Sequence, residues 1–333
     1  MKQRIRYFDL AKGFLMILVV LHYIHMHGAK ILGDLSVSVF LDYADDYWVM
    51  WFMPAFFMIT GICSNYDKPF KDFIYANFKG LIIPSVCLGF FFIILGELFI
   101  GPLYFLQECK RLLLEYIPNG GVLWFLPALF VCKTIYWGLL RIVESPKWIF
   151  CITIVLALIG FILGTLNIPN PWCFIQSLIY IPLLSIGSYL KSHELKVRYC
   201  VPFFVLSLLL VWGLHLSGFE VPYVSYALNY TLYNAIPLLL ISIVGSVSFL
   251  SICKWFNENN FLEYFGRNSL VVYAAHICLI RILFTYISPL VDVTSAIQVS
   301  SCYLILFCLT CWGCCAFSKI FNLPYMRVLL GKF

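Results

Sequence analysis

The sequence predicts an all-α, polytopic integral membrane protein: a bundle of about ten transmembrane helices with both termini in the cytoplasm. Three observations predict it. Of 333 residues, 62% are hydrophobic and 11% charged, with a mean hydropathy of +0.93, a balance no soluble domain carries without aggregating. The apolar residues gather in runs of roughly 17 to 25, the length that crosses a hydrocarbon core about 30 Å thick. Lys and Arg fall on alternate connecting segments, as the preference for positive charge inside requires.

In order, the spans run over about 8–27, 48–65, 79–100, 122–140, 147–165, 173–190, 199–217, 232–252, 269–288 and 296–317. The first opens on Tyr7-Phe8-Asp9-Leu10-Ala11-Lys12-Gly13 and runs through an apolar stretch to His22, His25 and His27. A basic start before an apolar run also suits a signal peptide, but no small-residue cleavage site follows and Asp9 and His22 interrupt it, so it reads as a retained span. The second contains Pro54; the third starts at Lys79, holds Pro84 and carries Glu97 near its outer end; the fourth begins beside Trp124 and contains Pro127 and Lys133. The fifth is uniformly apolar, the sixth holds Pro182, the seventh carries His215 near its outer end and the eighth contains Pro237. His276 and Arg281 lie in the ninth. The tenth includes Cys308-x-x-Cys311-x-x-Cys314-Cys315, metal spacing on paper but small packing residues in an apolar helix without His or carboxylate partners. Of the 14 cysteines only Cys109 and Cys173 fall near the outer face, so no disulfide framework is indicated.

With the N-terminus inside, 17 of the 22 Lys and Arg lie on inside segments. The net charge of +6 is therefore a topology signal and implies no nucleic acid. One domain over 1–333, with no separate soluble domain, is expected. Two outer loops have room for function: 28–47, with Asp34, Asp42, Asp45 and Asp46, and about 101–121, with Gly101-Pro102 and Pro118-Asn119-Gly120-Gly121. Each reads as solvated loop polarity or as the lining of an outward-facing acceptor site.

Titratable groups at membrane depth are costly and mark function or a buried pairing. His22 and His25, spaced i, i+3, share a helix face. His22 stands 13 residues beyond Asp9, about 20 Å of helical rise, which places it somewhat past the bilayer midplane. It reads as a helix-to-helix hydrogen bonder, as a catalytic group, or as half of a His-His metal site with no third ligand; Asp9 and Lys12 on the same helix point to function. Glu97 is the carboxylate set well inside a span, suited to orient or charge-stabilise a histidine. Lys133, His215, His276 and Arg281 are equally suited to structural pairing. At the cytoplasmic helix ends Lys12, Lys79 and Arg267 serve as interfacial anchors or, where they converge, as a pocket for phosphates.

Five blocks in this order resemble the membrane acyltransferase 3 family, the fucose 4-O-acetylase-like and polysaccharide O-acetyltransferase proteins. They are Phe8-Asp9-Leu10-Ala11-Lys12-Gly13 leading to His22; Trp51-Phe52-Met53-Pro54-Ala55-Phe56-Phe57-Met58-Ile59-Thr60-Gly61; Lys79-Gly80-Leu81-Ile82-Ile83-Pro84; Leu123-Trp124-Phe125-Leu126-Pro127-Ala128-Leu129; and Phe265-Gly266-Arg267-Asn268-Ser269-Leu270 leading to Tyr273 and His276. The resemblance covers essentially the whole chain. It implies transfer of an acyl group, usually acetyl from cytoplasmic acetyl-CoA, to a carbohydrate hydroxyl in a bacterial inner membrane, with the lipid bilayer, acyl-CoA and a carbohydrate acceptor as partners and no metal. His22 matches the family's first-span histidine and Lys12 the basic residue before it. The family often has arginine where Lys12 stands, and its paired arginines before the third span's proline are here reduced to Lys79, with Asn77 nearby.

On this reading His22 is the general base, since imidazole accepts a proton near neutral pH, or forms a covalent acyl-histidine, with Glu97 assisting. The CoA phosphates rest on Lys12, Lys79 and Arg267 with Asn268 beside them, while Asp9 orients the first helix. Trp124 stacks on a sugar or anchors the interface, and His25 and His276 face the acceptor. The rival is a secondary transporter or flippase whose midplane polar groups bind substrate, with Pro54, Pro84, Pro127, Pro182 and Pro237 breaking helices around it. No paired repeat of the kind such transporters carry is evident.

Overall fold

A computed structural model describes residues 6–32, 38–100, 106, 109–110, 122–166, 168–193, 200–217, 222–224, 228–256, 259–292 and 294–332. The long helices are α1 (Arg6–Leu32), α2 (Ser38–Val49), α3 (Phe52–Cys63), α4 (Phe70–Asn77), α5 (Ile83–Ile100), α6 (Phe125–Ile142), α7 (Pro146–Gly164), α8 (Phe174–Leu190), α9 (Cys200–Leu216), α10 (Leu232–Cys253), α11 (Asn260–Arg267), α12 (Ser269–Ile287) and α13 (Ala296–Phe321). The strand content among the described residues is one antiparallel pair, β1 (Tyr223–Val224) with β2 (Leu228–Asn229). The protein is a polytopic helical bundle.

Among the described residues nine helical stretches are long and apolar enough to cross a membrane, and each overlaps a predicted span, the third starting at Phe70, nine residues before the predicted 79. The tenth, predicted over 199–217, is α9 with its shorter apolar stretch Val201–Leu214. The second begins earlier than predicted, at Asp42, because the outer loop read over 28–47 contains the helix α2.

By packing, the helices fall into two compact units. The first comprises Val49–Ile82 and Trp124–Glu258, with a short piece ending at Phe8. Its α3 and α8 cross at Gly61 and Gly187, where a methyl group on either would overlap a backbone carbonyl of the opposite helix, Leu184 and Met58 respectively. Small residues at such crossings let helices gain van der Waals contact where lipid removes the hydrophobic drive. A buried aromatic cluster of Phe57, Trp124, Phe125 and Tyr180 fills the space beside this crossing.

The start of α3 shows how a proline inside a membrane segment is accommodated. Pro54 has no N–H for the carbonyl of Met50. That carbonyl instead accepts Ser242 Oγ–H from α10 at 2.7 Å, and the Trp51 carbonyl accepts both Ala55 N–H at 2.9 Å and Ser246 Oγ–H at 3.3 Å. Hydroxyls from a neighbouring helix thus satisfy the backbone that water cannot reach. Pro182 and Pro237, by contrast, sit inside helices that continue through them. Pro84 follows a π-helical turn, Phe78–Ile82, whose wider winding tolerates the missing donor.

The second unit comprises Asp9–Trp48, Ile83–Leu123 and Asn259–Phe333, and so holds α1 from Asp9 onward, α2, α5, α11, α12 and α13. Here α1 and α11 approach through reciprocal glycines: a methyl on Gly13 would overlap the Leu262 carbonyl, and one on Gly266 the Asp9 carbonyl. Phe91 and Phe92 of α5 pack against Phe317 and Phe321 of α13. Cys278 Sγ on α12 lies 3.5 Å from the Phe92 carbonyl. These contacts fix α1 against α11 and α12 against α5, which sets the frame for the polar groups of α1.

Candidate active site

The second unit collects the titratable groups of α1. Helix geometry puts His22 and His25 on one face of α1, and equally puts Asp42 and Asp45 on one face of α2. The two faces meet antiparallel. His22 Nδ1 lies 2.9 Å from both Oδ1 and Oδ2 of Asp45, and His25 Nε2 lies 2.6 Å from Asp42 Oδ1. The indole N–H of Trp48, which can only donate, reaches Asp45 Oδ1 at 2.6 Å.

This arrangement fixes the tautomers. With Asp45 as an ionised acceptor, His22 carries its proton on Nδ1 and presents the lone pair on Nε2. His25 does the reverse, bonding through Nε2 and presenting Nδ1. Both members of the inner pair are shielded, with 13% side-chain exposure each, whereas Asp42 is 49% exposed beside His25 at 10%. Nδ1 of His25 is buried without a hydrogen-bond partner. His27, one turn on from Tyr23, donates Nδ1–H to the Tyr23 carbonyl at 2.9 Å.

On α12, His276 is fully buried. Its Nδ1–H reaches the Val272 carbonyl at 3.2 Å and its ring meets the edge of Tyr23, with centroids 5.0 Å apart. That leaves the acceptor Nε2 buried and without a donor. Glu97 on α5 is similar: its Oε2 is buried and unpartnered, and the carboxylate bonded to His22 is that of Asp45. Among the described residues three buried acceptors of this unit, on His25, His276 and Glu97, thus have no donor.

At the other end of α1, Asp9 is buried and meets Arg267, whose Nε lies 3.9 Å from its carboxylate. Arg267 Nη2 also donates to Glu263 Oε2 at 2.5 Å. The guanidinium is half exposed while both carboxylates are buried, with 6% and 4% side-chain exposure. Arg267 therefore meets two buried carboxylates, a contact that ties α11 to α1. Asn268 is likewise engaged, donating to the Tyr264 carbonyl at 2.9 Å and accepting from Asn322 at 2.6 Å. Lys12, half-buried on α1, forms no ion pair among the described residues.

Lys79 and Trp124 lie in the first unit. Lys79 belongs to the π-helical turn, and Trp124 is 2% exposed, packed among Phe125 and Tyr180 in the aromatic cluster. Lys133 of α6 sits 5.9 Å over the Phe73 ring. Among the described residues no group of three His, Cys, Asp or Glu is arranged to hold a metal ion, the tenth-span cysteines included. His215, Asp34, Asn119 and the Gly101-Pro102 turn fall outside the described residues and side chains.

Sequence reasoning reads Asp42 and Asp45 as loop polarity or acceptor-site lining and does not pair them with His25 and His22, nor Trp48 with Asp45. The signal was present: two acids three apart mirror two histidines three apart, which only needs the loop to be helical to become a ladder. The arrangement can hold a neutral imidazole with a fixed lone pair, its proton-bearing side clamped by a carboxylate, as in hydrolases and transferases that activate a hydroxyl.

No curated protein and no solved structure matches the chain. A family model described as an acyltransferase domain, acyltransferase 3, matches residues 5–319, nearly the whole sequence. With nine helices long and apolar enough to cross a membrane among the described residues, the match identifies a membrane acyltransferase, and the chain belongs to the acyltransferase 3 family.

Proposed function

We propose that the protein is an O-acyltransferase that takes acetyl from cytoplasmic acetyl-CoA and delivers it to a carbohydrate hydroxyl, with His22 as general base and Asp45 as its orienting carboxylate. The observation that carries the reading is the two-oxygen contact of Asp45 with His22 Nδ1 at 2.9 Å. The acceptor hydroxyl gives its proton to His22 Nε2 as its oxygen attacks the thioester carbonyl. The C–S bond then breaks, and the imidazolium returns the proton to the CoA thiolate. Asp45 remains ionised throughout and stabilises the transient imidazolium.

The donor-poor acceptors His25 Nδ1, His276 Nε2 and Glu97 Oε2 support a ligand rich in hydroxyls, since each buried acceptor gains a bond that the protein itself does not supply. Lys12 is suited to the donor's phosphates: it stands ten residues, about 15 Å of helical rise, before His22, a distance of the order of an extended pantetheine arm. Arg267 orders α1 through Asp9, and the termini lie in the cytoplasm of a bacterial inner membrane. The test is release of CoA thiol from acetyl-CoA by membranes holding the protein, with a bacterial glycan pool as acceptor. Release that requires acceptor and vanishes in a folded His22→Ala variant sustains the reading. Equal release from both removes His22 from the chemistry, and no release with any acceptor favours a carrier of glycan in its place.

A further inference from the structure

In the first unit a cavity of about 640 Å³ opens where α6 ends, α7 begins and α8 ends. Its size lies within the range of roughly 300–1,000 Å³ typical of small-molecule sites. The wall is divided by chemistry. Leu140, Ile149, Phe150 and Ile186 line it on the helices, whereas Glu144, Lys147 and His193 stand on or beside the helix ends. From the end of α6 back to Tyr136, which also lines the cavity, is six residues, about 9 Å of rise. Beside it Trp148 and Tyr189 are 67% and 54% exposed. Exposed amphipathic aromatics at helix ends mark the level where hydrocarbon gives way to headgroups. The cavity therefore crosses that level, apolar along its helices and charged at its ends.

The charges are of both signs and uncommitted. Glu144 and Lys147, three residues apart, form no ion pair with each other or with any other described residue. Lys147 is in the first turn of the 19-residue helix α7, whose leading N–H groups add a partial positive charge. His193 donates Nδ1–H to the Tyr189 carbonyl at 3.0 Å and stacks on the Tyr189 ring at 4.0 Å, which fixes it at the rim. A ligand for this place needs an anionic group for Lys147, a cationic group for Glu144 and an apolar body for the wall. A free phosphate satisfies only the first, and an anionic lipid leaves Glu144 unanswered.

We propose that this cavity binds a zwitterionic aminophospholipid of the bilayer, its phosphate on Lys147 at the start of α7, its ammonium on Glu144 and part of an acyl chain against Leu140, Ile149 and Ile186. The site is independent of the transfer chemistry. To test it, the purified, delipidated full chain in detergent is titrated with a phosphatidylethanolamine and with a phosphatidylglycerol of the same acyl chains, and bound lipid is counted by native mass spectrometry. The phosphatidylethanolamine is expected to bind about fivefold tighter, the size of one exposed ion pair. Glu144→Gln should erase that preference by weakening the phosphatidylethanolamine alone, Lys147→Gln should weaken both lipids, and Ile186→Trp, which fills the cavity, should block both. Soluble phosphoethanolamine should not compete. Equal affinity for the two lipids in the wild type, a preference that survives Glu144→Gln, or full competition by phosphoethanolamine would each overturn the proposal. Circular dichroism of the variants confirms that the bundle is intact, since the two charged positions are exposed.

Discussion

Replacing Asp45 by Asn changes one atom and tests the tautomer argument directly. Asp45 accepts from two groups that must donate, His22 Nδ1–H and Trp48 Nε1–H. An amide has one oxygen, and its NH₂ would meet one of those donors. If the oxygen stays with the indole, at the shorter distance of 2.6 Å, the NH₂ faces His22 and drives its proton from Nδ1 to Nε2. The lone pair then points toward α2, away from the hydroxyl it is to deprotonate. Loss of a general base is worth about 10²–10⁴ in rate, and a wrong tautomer in a comparable dyad lies at the upper end, so the expected cost is ~3–5 kcal/mol of transition-state stabilisation. The assay is acceptor-dependent thiol release at saturating acetyl-CoA. The fall should be in kcat with KM for acetyl-CoA unchanged, because the donor's phosphates do not touch Asp45 on this reading. Trp48→Phe keeps the carboxylate and removes one charge-assisted hydrogen bond, so its loss should be smaller, about tenfold. If Asp45→Asn retains more than a tenth of wild-type kcat while His22→Ala is inactive, Asp45 does not set the tautomer and the dyad is structural.

Three further outcomes separate the remaining roles. Lys12→Ala should raise KM for acetyl-CoA about tenfold, or ~1.4 kcal/mol, with little change in kcat; an unchanged KM removes Lys12 from the donor site. Arg267→Met takes the guanidinium away from buried Glu263 and Asp9 and should lower the melting temperature by an amount equivalent to ~1–3 kcal/mol, the half-exposed guanidinium moderating the cost. Adding Glu263→Gln should restore part of it; a rise in KM at unchanged melting temperature would instead make Arg267 a phosphate ligand. Gly266→Ala forces a methyl into the Asp9 carbonyl, which as backbone cannot turn aside, and should cost ~1–3 kcal/mol in thermal stability, whereas Gly80→Ala, with open space around it, should be silent.

The bundle was legible because the bilayer imposes one length on every span: each predicted segment contains a helix, and only α9 is shorter in its apolar stretch than a full crossing. Boundaries failed where polarity was mistaken for loop. Residues 42–48 hold Asp42, Asp45, Asp46 and Trp48, a composition that suits an outer loop, yet Asp42 and Asp45 are spent on histidines and the segment is helical. A single sequence gives no distance between α1 and α2, so the missing partner of His22 was sought on Glu97, the carboxylate most plainly inside a span. Trp124 illustrates the converse. Its place at a helix start suggests an interface or a sugar platform, but its ring is packed against Tyr180, brought to it from a distant part of the chain, and against the neighbouring Phe125.

The two His–Asp pairs differ in ways that assign them different work. In the His22–Asp45 pair both groups are shielded, so the attraction between an imidazolium and the carboxylate would be little screened, and Trp48 gives the carboxylate a second donor. That is the setting in which a transient positive charge on His22 is stabilised as it forms. In the outer pair Asp42 is half exposed and water already screens it, so little of its charge reaches His25. His25 gains orientation from Asp42, and its buried Nδ1, with no partner among the described residues, is placed to accept a hydrogen bond. On the proposed function, one ladder of alternating register would thus place a base at His22 and a hydroxyl acceptor at His25, about one helical turn apart and on one face of α1. A polyol presenting neighbouring hydroxyls would be read by the outer histidine and deprotonated at the inner one. His25→Ala should therefore raise KM for the glycan acceptor while thiol release at saturating acceptor stays within about twofold, and a loss of kcat equal to that of Asp45→Asn would show that both histidines act on the proton.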